Sequence, residues 1–179
     1  MKKINVFQMV FCAVMAALSI VLEKFASIDL GPFKLTMYGL PLILVGVLYG
    51  SKLGLLTGFI AGCVMQLTSE YGITLTSVFW ALAPIAWGGV SGILFERFRF
   101  KKTIISVVLT ITIASLCATF LNTIAMFCEM WLISDEYYNQ AMIFTNLPVR
   151  IISSIILIIP YSIVTEAVRK VLSTIYIRK

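Results

Sequence analysis

Few side chains in this 179-residue sequence are suited to catalysis. The chain has no histidine, so it lacks the commonest metal ligand and the base of the Ser-His-Asp and Cys-His arrangements. It contains no Walker A sequence, dinucleotide-binding glycine loop or metal-ligand cluster. These absences predict a protein without catalytic residues, cofactor or bound metal. The cysteines form no CxxC pair and are expected to be buried free thiols: Cys12, Cys63, Cys117 and Cys128.

Arg150 is the most informative single residue because it lies a few positions into an apolar run. A charge inside a membrane span is costly and usually faces a cavity or a partner. One interpretation is that the guanidinium binds a ligand carboxylate through two parallel hydrogen bonds. The alternative, given equal weight, is that Arg150 snorkels to the outer surface or pairs with Glu129 or Asp135.

The other candidate site residues are polar or aromatic. A buried amide must find a hydrogen-bond partner, either on a ligand ring or on a neighbouring helix. Aromatic side chains near the outer half of the protein either stack on a flat ligand or belong to the interfacial belt. The candidate amides are Asn122 and Gln66, and the candidate aromatics are Tyr38, Phe79 and Trp80, whereas Trp87 is expected to serve packing.

The composition indicates a membrane protein. Apolar residues make up 60% of the chain and charged residues 12%, and the mean hydropathy is +1.02. Soluble domains are closer to half apolar and about one quarter charged. The composition therefore excludes an ordinary soluble enzyme, a disordered protein and a nucleic-acid binder.

The apolar runs predict an all-α integral membrane protein with six transmembrane helices. Eleven lysines and arginines fall on one side of the predicted bundle and two on the other. This bias places both termini in the cytoplasm. The first run is expected to be a transmembrane helix continuing to Ala26, not a cleaved signal peptide, and residues 1–179 are expected to form one substrate-binding domain. The runs cover residues 4–22, 35–49, 53–68, 74–95, 103–128 and 143–168.

Small residues recur at helical spacing in the first half of the chain. All 11 glycines lie between Gly31 and Gly92. Small residues four positions apart lie on one helix face and let helix backbones approach closely in lipid. The helices of this half are therefore expected to pack tightly. Ala13 and Ala17 share one face of the first helix, which serves either internal packing or docking of another membrane protein.

Taken in order, several segments resemble the substrate-binding S components of energy-coupling factor (ECF) vitamin transporters, most closely the folate family. The similar segments are residues 16–22, 34–41, 48–50, 122–123 and 147–151. The resemblance implies a subunit in a prokaryotic plasma membrane that captures a vitamin on the outer side. It also implies partners: a transmembrane coupling protein and two ATPase subunits, towards which the S component topples.

The resemblance also implies roles for particular residues. Ala13 and Ala17 match the family's AxxxA face, which contacts the coupling protein. The loop of residues 27–34 corresponds to a lid, with Gly31 and Pro32 as its hinge. Folate is the first expected ligand, with Arg150 and Lys34 meeting its carboxylates and Asn122 and Trp80 reading or stacking on its rings.

Two departures from the folate pattern keep the ligand open. Gln66 stands where such proteins usually carry an acid, and residues 76–80 replace a Phe-Pro-Gly sequence. Pantothenate or another vitamin is therefore an alternative. Other classes are a membrane scaffold that uses the alanine and glycine faces, an intramembrane enzyme, and a secondary transporter. The last two are disfavoured because acids within the spans are scarce and histidine is absent.

Overall fold

The computed structural model describes residues 5–29, 34–69, 72–98, 104–132 and 140–177. These residues form six helices and one pair of two-residue strands. The predicted helical architecture is confirmed. The helices are α1 (Val6–Phe25), α2 (Gly39–Tyr49), α3 (Ser51–Leu67), α4 (Ser77–Arg97), α5 (Ile104–Leu132) and α6 (Gln140–Ile177).

Four of these helices, α1, α4, α5 and α6, are long and apolar enough to cross a membrane. The other two are shorter: α2 has 11 residues and α3 has 17. At 1.5 Å per residue these lengths are about 16 and 25 Å, against a hydrocarbon layer of about 30 Å. The apolar run at residues 35–49 is short for a span in the sequence, and the helix that it forms is shorter still.

The short helix α2 lies in the centre of the bundle, which explains how it tolerates its length. It packs against α1, α3, α4 and α6. Every residue from Pro41 to Val47 is buried, so the helix is surrounded by protein and need not match the lipid thickness. Pro41 is accommodated in the first turn, where backbone N–H groups have no partner within the helix.

The segment between α1 and α2 contains the strand pair. β1 (Ile28–Asp29) and β2 (Lys34–Leu35) are antiparallel, with Ile28 opposite Leu35 and Asp29 opposite Lys34. The sequence analysis predicts only a polar break here, because two-residue strands are too short to show an alternating pattern. Gly31 and Pro32 lie outside the described residues, and the hinge assigned to them stays a prediction.

Glycine packing joins α3 to α4, as the spacing predicts. A Cβ atom on Gly54 would overlap the carbonyl group of Gly88, and one on Gly58 would overlap that of Pro84. A Cβ atom on Gly62 would lie 2.9 Å from the Ala81 carbonyl oxygen. The two backbones are therefore in direct contact along the helices.

The turn between α2 and α3 consists of Gly50, whose φ of 89° favours glycine. Ser51 directly begins α3. The Glu96 carboxylate on α4 accepts hydrogen bonds from the Ser51 backbone N–H at 3.0 Å and its hydroxyl at 3.2 Å. This contact caps α3 and ties both short helices to α4.

Candidate functional site

Tyr38, the residue that precedes α2, is the centre of a polar cluster. Its backbone carbonyl accepts a hydrogen bond of 2.6 Å from the Ser19 hydroxyl on α1. The side chains of Asn122 on α5 and Trp87 on α4 lie beside its phenol group. Side chains from three long helices therefore meet at the start of the short central helix.

Two opposite charges face this cluster. Glu23 near the end of α1 and Arg150 on α6 both lie close enough to act electrostatically on the Tyr38 hydroxyl. Arg150 is half-buried, and its Nη1 atom lies 2.8 Å from the Met126 sulfur and 3.4 Å from the Thr123 hydroxyl. Neither of these two neighbours carries a charge, so neither neutralises the guanidinium.

Aromatic rings form the inner wall of the cluster. Trp87 and Tyr161 meet edge to face, with their ring centres 5.9 Å apart. Gly39 is required by close approach, because a Cβ atom there would come within 2.9 Å of the Trp87 ring. The Tyr161 hydroxyl donates a 3.4 Å hydrogen bond to the carbonyl of Thr36. Flat rings beside a few convergent polar groups are typical of small-molecule sites.

A second set of contacts joins helix ends at the outer rim. The Trp80 indole N–H donates a 2.8 Å hydrogen bond to the Glu129 carboxylate and so connects the start of α4 to the end of α5. The Lys24 ammonium donates to the carbonyl of Thr68 and connects α1 to α3. Among the described residues, these are the polar contacts that close the rim.

The structure thus brings together three of the predicted site residues, Tyr38, Asn122 and Arg150. Trp80 lies at the rim, bonded to Glu129. Phe79 is half-buried in the first turn of α4 and Gln66 is half-buried at the end of α3. Lys34 lies on β2, and its side chain is outside the described residues.

The partner-binding candidates occupy a different surface. Ala13 and Ala17 are both exposed on α1. Their neighbours on the same helix, Val10, Val14 and Val21, are also exposed apolar residues. The face is therefore available for contact with lipid or another membrane protein.

Sequence reasoning missed two members of the cluster. Trp87 was assigned to packing, because an aromatic residue inside an apolar run carries no signal that separates packing from binding. Glu23 was not among the candidates, although the predicted first helix includes it and α1 extends to Phe25. The available signal was the four-residue spacing of Ser19 and Glu23, which places both on one helix face.

Comparisons with known proteins identify similar molecules. A family model described as "ECF-type riboflavin transporter, S component" matches residues 3–170. Among solved structures, the chain is similar to the crystal structure of FolT bound with folic acid, with a TM-score of 0.61 and 19% sequence identity. That similarity covers 91% of this chain and 92% of the other, and at this identity it shows the fold alone. The comparison with curated proteins found no match.

Proposed function

The chain belongs to the ECF-type riboflavin transporter S component family, and from this premise we propose that the Tyr38 cluster binds a flat heteroaromatic vitamin, with riboflavin as the first candidate. Proteins of this family are integral membrane, substrate-binding subunits of vitamin transporters and are not enzymes. We further propose that residues 1–179 act as one substrate-binding domain. ATP hydrolysis then takes place in separate partner chains.

The observation that carries the proposal is the convergence of rings and opposite charges at Tyr38. Trp87 and Tyr161 offer aromatic surface, and Asn122 offers both a donor and an acceptor. Glu23 and Arg150 supply one negative and one positive group near the same phenol. A neutral ring system that carries an N–H donor flanked by carbonyl acceptors matches such a site, and riboflavin has this chemistry.

Folate is the second candidate. The FolT structure contains folic acid, and folate also offers a flat ring with donor and acceptor edges. Its two carboxylates require cations, for which Arg150 and Lys34 are the proposed partners. Pantothenate has a carboxylate but no ring, so it would leave the aromatic wall unused.

Ligand identity is the first prediction. Protein purified in detergent from cells grown in rich medium is expected to contain riboflavin in near-stoichiometric amount, identified by mass spectrometry. After the ligand is removed, titration without ATP is expected to show tight binding of riboflavin and at least about tenfold weaker binding of folic acid, a difference of about 1.4 kcal/mol.

The same titration decides between the candidates. Tighter binding of folic acid would retain the vitamin-binding function and replace the ligand. Failure to bind riboflavin, folic acid and pantothenate would contradict the proposed function. It would instead favour the scaffold hypothesis.

The exposed face of α1 is the proposed contact with the transmembrane coupling protein. Ala13 and Ala17 leave a shallow apolar surface on which another helix can approach closely. Association with this protein and two ATPase subunits, in a prokaryotic plasma membrane, would let the S component topple and carry its site inwards.

A variant of this face provides the second prediction. The double substitution Ala13→Leu and Ala17→Leu is expected to abolish co-purification with the coupling module, because two larger side chains keep the helices apart. Vitamin affinity of the isolated subunit is expected to stay unchanged. The matched control is Ala141→Leu, an exposed alanine at the outer end of α6. Equal co-purification of all three proteins would contradict the assignment of the face.

A further inference from the structure

Glu23 presents an acceptor that the protein itself leaves unused. Its Oε2 atom is buried and has no hydrogen-bond partner among the described residues. A buried carboxylate oxygen without a partner loses its hydration and gains no hydrogen bond in return. Such an atom is rare in a folded protein and calls for a specific explanation, and a donor on a bound ligand is one that its position near the candidate site supports.

The neighbouring charged residue does not supply that donor. Lys24 follows Glu23 in the sequence, but its ammonium group donates to the carbonyl of Thr68 at the end of α3. Arg150 is directed towards Thr123 and Met126 on α5. Both cations therefore make contacts on helices other than α1.

The position of Glu23 connects this acceptor to the candidate site. The carboxylate lies close enough to the Tyr38 hydroxyl to act on it electrostatically, and Asn122 and Trp87 lie beside the same hydroxyl. Ser19, one turn earlier on the same face of α1, holds the Tyr38 backbone. A ring that lies against Trp87 would therefore present one edge to α1.

We infer that Glu23 is a specificity-determining residue that accepts a hydrogen bond from a ring N–H of the ligand, so that the site selects heteroaromatic vitamins with a lactam or imide N–H. The inference rests on the proposed function and adds an orientation to it. The ring N–H is directed at α1, and the carbonyl acceptors beside it are left for Asn122 and Arg150. A ligand carboxylate would be repelled from the α1 side.

The test is a double-mutant cycle between Glu23 and the ligand. Riboflavin and folic acid both carry an N3–H next to a carbonyl, so whichever of them the wild-type protein binds more tightly is compared with its N3-methyl analogue. Methylation is expected to weaken binding to wild-type protein by about 10- to 100-fold, the effect of losing a hydrogen bond to a charged acceptor. Glu23→Leu is expected to weaken binding of the parent vitamin similarly and to reduce the methylation effect to less than about threefold.

Two further measurements separate specificity from folding. Glu23→Gln keeps an acceptor oxygen without the charge and is expected to fall between wild type and Glu23→Leu. Thermal unfolding of each ligand-free variant checks that the fold is retained, and a buried unpaired carboxylate predicts no loss of stability in Glu23→Leu.

The outcomes that overturn the inference differ from those that overturn the function. If wild-type protein binds a vitamin but tolerates its methylation, or if methylation weakens Glu23→Leu as much as wild type, Glu23 does not read the ring N–H and the proposed function stands. If wild-type protein binds neither vitamin, the function and the inference fail together.

Discussion

Arg150→Ala is expected to weaken vitamin binding by about 10- to 100-fold, because a hydrogen bond to a charged group contributes about 1.5–3 kcal/mol. The guanidinium is half-buried in the third turn of α6. It acts electrostatically on the Tyr38 hydroxyl in the opposite direction to Glu23. Its neighbours Thr123 and Met126 hold the side chain in place. The affinity is measured by titration of the ligand-free protein in detergent.

Two controls define the origin of this loss. Arg150→Lys keeps the positive charge but lacks the planar fork, so an intermediate affinity is expected if the ligand is held by paired hydrogen bonds. Lys170→Ala removes a cation from the other end of the same helix, where the side chain is 72% exposed, and is expected to change affinity by less than about twofold. An unchanged affinity in a folded Arg150→Ala protein would favour snorkelling and remove Arg150 from the site.

Gly88→Ala is expected to destabilise the bundle by about 2–3 kcal/mol, the upper part of the range for overpacking. The new Cβ atom would overlap the carbonyl group of Gly54, and both contacting groups belong to helix backbones. The whole of α3 would have to move away from α4, since a backbone carbonyl cannot rotate aside. Alanine's better helix propensity offsets only about 1 kcal/mol of this cost. Thermal unfolding in detergent is expected to show a midpoint about 5–10 °C lower.

The adjacent glycine is the matched control. The three atoms nearest to a Cβ atom on Gly89 all belong to the side chain of Leu55, which is 41% exposed and can rotate. Gly89→Ala is therefore expected to be neutral or slightly stabilising. Equal unfolding temperatures for the two variants would contradict the close backbone contact between α3 and α4.

The apolar run at residues 35–49 illustrates what hydropathy alone cannot predict. Its apolar residues predict a helix, and α2 forms, but only from Gly39 to Tyr49. Hydropathy cannot distinguish lipid from a protein interior, because both favour the same side chains. Only the packing of α2 against four other helices shows that this run is a buried core element.

The candidate site, too, could be predicted only in part from the sequence. Asn122 and Arg150 are visible in the sequence as polar groups in apolar surroundings, and both reach Tyr38. Trp80 has equal standing in the sequence, yet it bonds to Glu129 at the rim. Trp87 carries no distinguishing signal and lies in the cluster. Trp80 and Trp87 are seven residues apart on α4 and share one helix face, so they differ in depth, with Trp87 about 10 Å further along the helix. Only the tertiary structure shows at which depth Tyr38 and Asn122 meet that face.

The sequence by itself determined the membrane class, the helical architecture, the glycine packing of α3 on α4 and the absence of catalytic motifs. These properties follow from hydrophobicity, charge and short spacings, which are local to each segment. The tertiary structure decided that α2 is central, that Glu23 lies near the site with an unpaired oxygen, and that Glu23 and Arg150 both act electrostatically on the Tyr38 hydroxyl. The physical reason is that these contacts join residues far apart in the chain, and helix packing alone brings such residues together.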